Sequence, residues 1–83
     1  MRLPRNLSGT ELAGLLRRRY GYTIVRQTGS HLRLTSTFQD TQHHITIPRH
    51  NPLRVGTLNA ILSDGSEYLG VDRQGLLEEL FGK

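Results

Sequence analysis

The sequence has no cysteine, and its single lysine is the last residue, Lys83. Without cysteine, the chain can form neither a disulfide framework nor a thiolate metal site. No apolar run approaches the length of a membrane span or of the apolar core of a signal peptide. We therefore expect a protein without a membrane segment, and the cytoplasm is its expected compartment.

The residues that are present indicate one small folded domain, residues 1–83. Hydrophobic residues make up 35% and charged residues 22% of the chain, which favours folding over disorder. The formal net charge is +4, and all eleven basic residues except Lys83 are arginine. Arginine binds phosphates bidentately, so this bias favours a nucleic-acid partner. An arginine-rich proteome would explain the same bias, and composition leaves both explanations open.

The clearest local signal is a helix from about Ser8 to Tyr20. Ser8 is a suitable N-cap residue, and Glu11 stands three residues later, which is the spacing of a capping box. Gly21 suits the left-handed conformation that often ends a helix. Between these ends lies an apolar stripe followed by a basic cluster: Leu12, Leu15 and Leu16, then Arg17, Arg18 and Arg19.

Three β-rich segments and two further helical segments follow. The strands are "YTIVRQ", "SHLRLTSTF" and "HHITIP". Helical spacing of apolar residues predicts a second helix over about 54–62, and "SDGSEYLG" predicts a break. Asp72 is a suitable cap for a last helix, whose apolar face is Leu76, Leu77, Leu80 and Phe81. The predicted fold is α+β: an α-β-β-β-α order with a three-stranded antiparallel sheet packed on helices and an extra C-terminal helix.

Side-chain alternation in the second strand predicts one buried face and one open face. The leucines would point inwards and leave His31 and Arg33 on the open face. With Thr28-Gly29 as a two-residue loop, Arg26 would lie opposite His31. The same register would put Val25 opposite Leu32 and Ile24 on the open face. The predicted core is Leu32, Leu34, Val25, Ile45, Ile47, Leu15, Leu58 and Leu62.

An exposed histidine between arginines suggests chemistry on a phosphate. Histidine can act as a general acid or base near neutral pH, and the flanking arginines would hold the phosphate. RNA carries its own nucleophile, the 2′-hydroxyl, so its cleavage requires neither a metal ion nor an activated water. A histidine on the solvent face of a strand is, however, usually only a tolerated polar residue, and its position alone leaves both interpretations open.

At these residues the sequence resembles the HicA, or YcfA-like, family of mRNA interferase toxins. The segments that carry the resemblance are "VRQTGSH", with its Gly-Ser-His motif, and "ITIPRHNPLRVGTLNAIL". It covers about residues 8–62 and leaves 63–83 as a C-terminal extension. The loop "TSTFQDTQ" also departs from the family's usual short basic turn.

The resemblance implies a domain of the double-stranded-RNA-binding type and a function as the toxin of a type II toxin–antitoxin system. It implies a metal-independent endoribonuclease that cleaves mRNA without a cofactor, with His31 as the catalytic acid or base. A HicB-type antitoxin would be the protein partner and would cover this histidine. The residues expected to contact RNA are Arg26, Ser30, Arg33, Arg17, Arg18 and Arg19.

Other interpretations of the sequence are a non-catalytic RNA-binding module and an inactive relative that only binds an antitoxin. His43 and His44 are neighbours on a strand and point to opposite faces, so they are better explained as surface polar residues than as metal ligands. His50 and Arg49, in the loop after Pro48, could reach the substrate phosphate. The leucine face of the last helix could serve the core or a homo-oligomer contact.

Overall fold

The computed structural model describes residues 3–38 and 40–82, so Gln39 and the ends of the predicted domain lie outside the described residues. The elements are α1 (Gly9–Tyr20), β1 (Thr23–Thr28), β2 (His31–Ser36), β3 (His43–Pro48), α2 (Val55–Leu69) and α3 (Arg73–Phe81). The strands form an antiparallel sheet in the order β1-β2-β3. Helix α1 packs on all three strands, and α2 packs on β3 and α3. The predicted α+β order is confirmed.

Helix α1 begins where its sequence predicts. The Ser8 hydroxyl accepts the Glu11 N–H at 3.1 Å, and the Glu11 carboxylate accepts the Ser8 N–H at 2.9 Å. Hydrogen bonds from Ser8 hold the pKa of the Glu11 carboxyl below its ordinary value. Gly21 ends the helix with a φ of 71°. Gly9, the first helical residue, packs so closely on β3 that a Cβ there would collide with the Pro48 carbonyl oxygen.

The apolar face of the sheet is set by β2. Leu32 and Leu34 are buried, and across β3 they pair with Ile47 and Ile45. Helices α1 and α2 cover this face with their own apolar stripes, and α3 adds three buried leucines. The buried apolar side chains of the helices are Leu12, Ala13, Leu16, Leu58, Ile61, Leu62, Leu69, Leu76, Leu77 and Leu80. Leu15, predicted in the core, packs at its margin. The opposite face of the sheet is left open.

The predicted register of the β1–β2 hairpin is wrong: the loop begins one residue later than predicted, and the strand pairing is therefore shifted by two residues. The two loop residues are Gly29 and Ser30, and Thr28 pairs with His31. Gly29 has a φ of 52°, so the residue that tolerates positive φ stands first in the loop. This shift puts Gln27, in place of Val25, opposite Leu32.

A β-bulge at Val25 interrupts the regular pairing of β1 with β2. The pairing passes from Ile24 opposite Leu34 directly to Arg26 opposite Arg33, which leaves Val25 unpaired. Val25 is 54% exposed and therefore does not belong to the core, contrary to the prediction. Ile24 pairs with the buried Leu34, so the register places it on the same side of the sheet as the leucines rather than on the open face, although at the edge of the sheet it is still 41% exposed.

The predicted break after Leu62 is also absent, because α2 continues to Leu69. Gly65 lies inside this helix and is buried, with its Cβ position 3.9 Å from Leu76 of α3. Close packing between the two helices therefore outweighs the weak helix propensity of "SDGS". The helix ends at Gly70, which has a φ of 71°. No helix among the described residues is long and apolar enough to cross a membrane.

Candidate nucleic-acid cleavage site on the open sheet face

His31 is the first residue of β2 and lies on the open face. It pairs with Thr28 of β1 and Pro48 of β3, and its side chain is exposed. Because opposed residues of an antiparallel sheet share a face, Thr28 and Pro48 border the imidazole on either side. An exposed imidazole in this position is accessible to a substrate lying across the sheet.

The next row of the open face is basic. Arg26 lies directly opposite Arg33, and Arg33 Nη1 is 3.4 Å from the Thr46 hydroxyl oxygen, to which it donates. Like charges directly opposite each other disfavour the pairing of strands. Among the residues that the structure describes, no carboxylate lies within 4.0 Å of either guanidinium. A phosphate bound over this row would therefore gain charge-assisted hydrogen bonds and relieve the repulsion.

The loop after β3 borders His31 and is held in place by three backbone hydrogen bonds. The Ser30 carbonyl accepts the Arg49 N–H at 2.6 Å, and the His50 carbonyl accepts the Gly9 N–H at 2.9 Å. Further on, the Leu53 N–H donates to the Leu7 carbonyl at 2.8 Å. The loop is thus fixed to the hairpin turn and to the start of α1. From the sequence alone this loop was a minor candidate for the site, because its position beside His31 depends on the register in which β2 and β3 pair.

The basic cluster Arg17–Arg19 lies elsewhere. It occupies the last turn of α1, which packs on the covered face of the sheet. Gly9, the other end of this helix, contacts the β3 end next to His31, and eight residues of helix span about 12 Å. The structure therefore brings Arg26, Ser30 and Arg33 together with His31 but leaves the cluster apart. Arg19 is 4.0 Å from Glu79 of α3.

His43 is partly buried and packed against other side chains, whereas the sequence interpretation made it a surface residue. The Tyr22 hydroxyl lies 2.8 Å from its Nδ1, and its ring stacks on Tyr68 at 4.4 Å between centroids. Burial raises the pKa of the Tyr22 phenol, so the hydroxyl keeps its proton, and its hydrogen bond with Nδ1 takes the direction that the imidazole tautomer sets. Nε2 is 3.1 Å from Asp64 Oδ2, in an orientation outside that of a hydrogen bond. His43 is thus held between the sheet and α2.

His44 is exposed and pairs with Thr35, at the end of the open face away from His31. The pairing of Pro48 with His31 and of Thr35 with His44 separates the two histidines by four residues along β2, about 13 Å. Within residues 3–38 and 40–82, no three His, Asp or Glu side chains are grouped so that they could hold a metal ion.

The fold and site together define a small α+β domain with a histidine and paired arginines on an open sheet face. A family model described as "HicA toxin of bacterial toxin-antitoxin" matches residues 9–65. The chain belongs to this family of toxins from toxin–antitoxin systems, and membership implies a cognate antitoxin. No curated protein and no solved structure matches the chain significantly.

Proposed function

We propose that this toxin is an endoribonuclease that cleaves mRNA without a metal ion, with His31 as general acid or base. The observation that carries the proposal is the row of Arg26 and Arg33 beside an exposed His31. This arrangement combines a proton-transfer group with two guanidiniums that can bind a phosphate on the same accessible face. Family membership supports the same function.

In the proposed reaction His31 takes the proton from a ribose 2′-hydroxyl. The 2′-oxygen then attacks the adjacent phosphorus while the bond from phosphorus to the 5′-oxygen breaks, and charge that develops on the phosphate is stabilised by the guanidiniums of Arg26 and Arg33. Ser30 lies in the hairpin turn next to His31 and is proposed as an additional RNA contact. Because the nucleophile belongs to the substrate, no metal-bound water is needed.

The test is cleavage of single-stranded RNA by the wild type, His31→Ala and His44→Ala. His44 is the matched control, since it is an exposed histidine on the same face but at its other end. We expect His31→Ala to lose about 10²–10⁴ in rate. We expect His44→Ala, and wild type in the presence of a chelator, to cleave at the normal rate.

Both variants should remain folded, because exposed side chains contribute little packing. Circular dichroism and a urea melt establish this. A folded His31→Ala protein that cleaves as fast as the wild type would contradict the proposal. Binding of RNA without cleavage by the wild type would instead support the non-catalytic RNA-binding module.

We further propose that the cognate antitoxin is of the HicB type and covers the open face around His31. The chain's own helices occupy the other face, so this face remains available to a partner. The pair formed by Arg26 and Arg33 favours an acidic partner surface. Charge reversal at Arg33 should therefore weaken antitoxin binding, measured by titration calorimetry, whereas charge reversal at Arg18 should not.

A further inference from the structure

The loop after β3 places a second histidine beside the proposed catalytic one. Pro48 lies directly opposite His31, and His50 follows it by two residues. Paired Cα atoms are about 5 Å apart and two residues span at most about 7 Å, so the Cα atoms of His31 and His50 lie within about 12 Å. Two imidazoles reaching towards a shared phosphate can cover this separation.

Among the described residues, the other two histidines do not meet this condition. His43 is held between Tyr22, Tyr68 and Asp64. His44 lies at the opposite end of the open face. His50 is exposed and has no side-chain hydrogen bond within the described part of the chain, so its imidazole is available to a substrate.

The backbone around His50 is fixed, which a proton-transfer group requires. Its own carbonyl accepts the Gly9 N–H at 2.9 Å, and the preceding residue, Arg49, donates its N–H to the Ser30 carbonyl at 2.6 Å. Ser30 is the residue before His31. One hydrogen bond therefore links the chain segments that carry the two histidines, and the start of α1 supports the loop from the other side.

We propose that His50 is the general acid of the cleavage reaction, an inference that rests on the proposed function of His31 as the base. As the 2′-O–P bond forms, the P–O5′ bond breaks and the leaving 5′-oxygen needs a proton. Protonated His50 supplies it while His31 holds the proton taken from the 2′-hydroxyl. The products are a 2′,3′-cyclic phosphate and a 5′-hydroxyl, and proton exchange with water restores both histidines.

The test compares two substrates that differ only in the leaving atom. The first is ordinary RNA, and the second carries sulfur in place of the 5′-bridging oxygen at one linkage. A thiolate leaves without being protonated, because a thiol is far more acidic than an alcohol. A variant that lacks only the general acid should therefore cleave the second substrate at nearly the wild-type rate.

We expect His50→Gln and His50→Ala to lose about 10²–10⁴ in rate on ordinary RNA and to regain most of it on the sulfur substrate. His31→Ala should be slow on both substrates, and His44→Ala should resemble the wild type on both. Normal cleavage of ordinary RNA by His50→Ala would overturn the inference. Slow cleavage of both substrates by His50→Ala would also overturn it, since a phosphate-binding or structural role predicts that result.

The outcomes also separate this inference from the proposed function. If His31→Ala is slow and His50→Ala is not, the proposed function stands and the assignment of His50 fails. If the wild type cleaves neither substrate, the proposed function fails and the assignment of His50 fails with it.

Discussion

At the scale of single residues, identical side chains have different roles because the fold gives them different neighbours. His31 and His43 each lie at the beginning of a strand, yet His31 is exposed to solvent and His43 is partly buried. Alternation along β2 predicted the exposure of His31, since the leucines beside it identify the buried face. The partners of His43, Tyr22 and Asp64, lie 21 residues away on either side, so local pattern could not reveal them.

Tyr22→Phe should destabilise the protein by roughly 1–3 kcal/mol, because it leaves Nδ1 of the partly buried His43 without its hydrogen-bond partner. Tyr22 is 1% exposed, so water cannot replace the lost hydroxyl from that side. The measurement is urea unfolding near neutral pH. Tyr20→Phe is the control, as it removes the same atom from a tyrosine that is only partly buried. Equal small effects in the two variants would contradict a structural role for the Tyr22–His43 hydrogen bond.

At the scale of elements, the sequence predicted the helices and strands better than the way they pair and end. The ends of α1 were predictable from Ser8, Glu11 and Gly21, because the hydrogen bonds that cap a helix form within one helical turn of its end. The prediction of the hairpin register failed because Thr28-Gly29 and Gly29-Ser30 are both acceptable two-residue loops by local criteria. Their difference is resolved only by the bulge at Val25 and by pairing along the whole strand.

The length of α2 was missed for a related reason. A helix interior containing "SDGS" is unfavourable by propensity alone, and the compensation comes from α3, which is distant in sequence. Gly65 allows Leu76 to approach the helix, and Leu69 extends the apolar stripe by another turn. Helix propensity alone therefore predicts a break in α2, because it does not include the contact with α3 that stabilises the helix there.

Two glycine substitutions should change stability in opposite directions. Gly65→Ala should stabilise the protein by up to about 1 kcal/mol, because alanine favours a helix and its Cβ would make an ordinary contact with Leu76. Gly9→Ala should cost roughly 1–3 kcal/mol or more, since the added Cβ meets the Pro48 carbonyl.

Urea unfolding of both variants measures these changes. Gly56→Ala is the control for helix propensity, because it lies in the same helix as Gly65 with no atom within 4 Å of its Cβ position. Destabilisation by Gly65→Ala alongside stabilisation by Gly56→Ala would mean that Leu76 packs too closely on Gly65 to admit a Cβ. A neutral Gly9→Ala would mean that α1 can move away from β3.

At the scale of the whole molecule, the sheet and the helices differ in charge. The three strands contain no aspartate or glutamate, and their charged residues are Arg26 and Arg33 together with any protonated histidine. Five of the seven acidic residues belong to α2, α3 or the turn between them: Asp64, Glu67, Asp72, Glu78 and Glu79. The net charge of +4 therefore understates the positive character of the open face. Composition predicted a basic protein, but only the fold locates the uncompensated charge.

This difference predicts that RNA length decides which arginines contribute to binding. The proteins to compare are His31→Ala, which we expect to bind RNA without cleaving it, and the same protein with further arginine-to-alanine changes. Removing Arg26 and Arg33 should weaken binding of a short RNA of about four nucleotides and of a longer one, because this pair lies next to His31. Removing Arg17, Arg18 and Arg19 should weaken binding of an RNA of about twenty nucleotides only, since the cluster lies on the other layer.

The measurement is the slope of the logarithm of the binding constant against the logarithm of salt concentration. Each lost phosphate contact should reduce the magnitude of this slope by about 0.7 for single-stranded RNA. Removal of Arg26 and Arg33 should thus lower the magnitude of the slope by about 1.4 for either RNA. Removal of Arg17, Arg18 and Arg19 should leave the slope for the short RNA unchanged. A salt response that is flat in the parent protein would contradict phosphate binding altogether. Equal losses from the pair and the cluster with the short RNA would contradict the placement of the site on the open face.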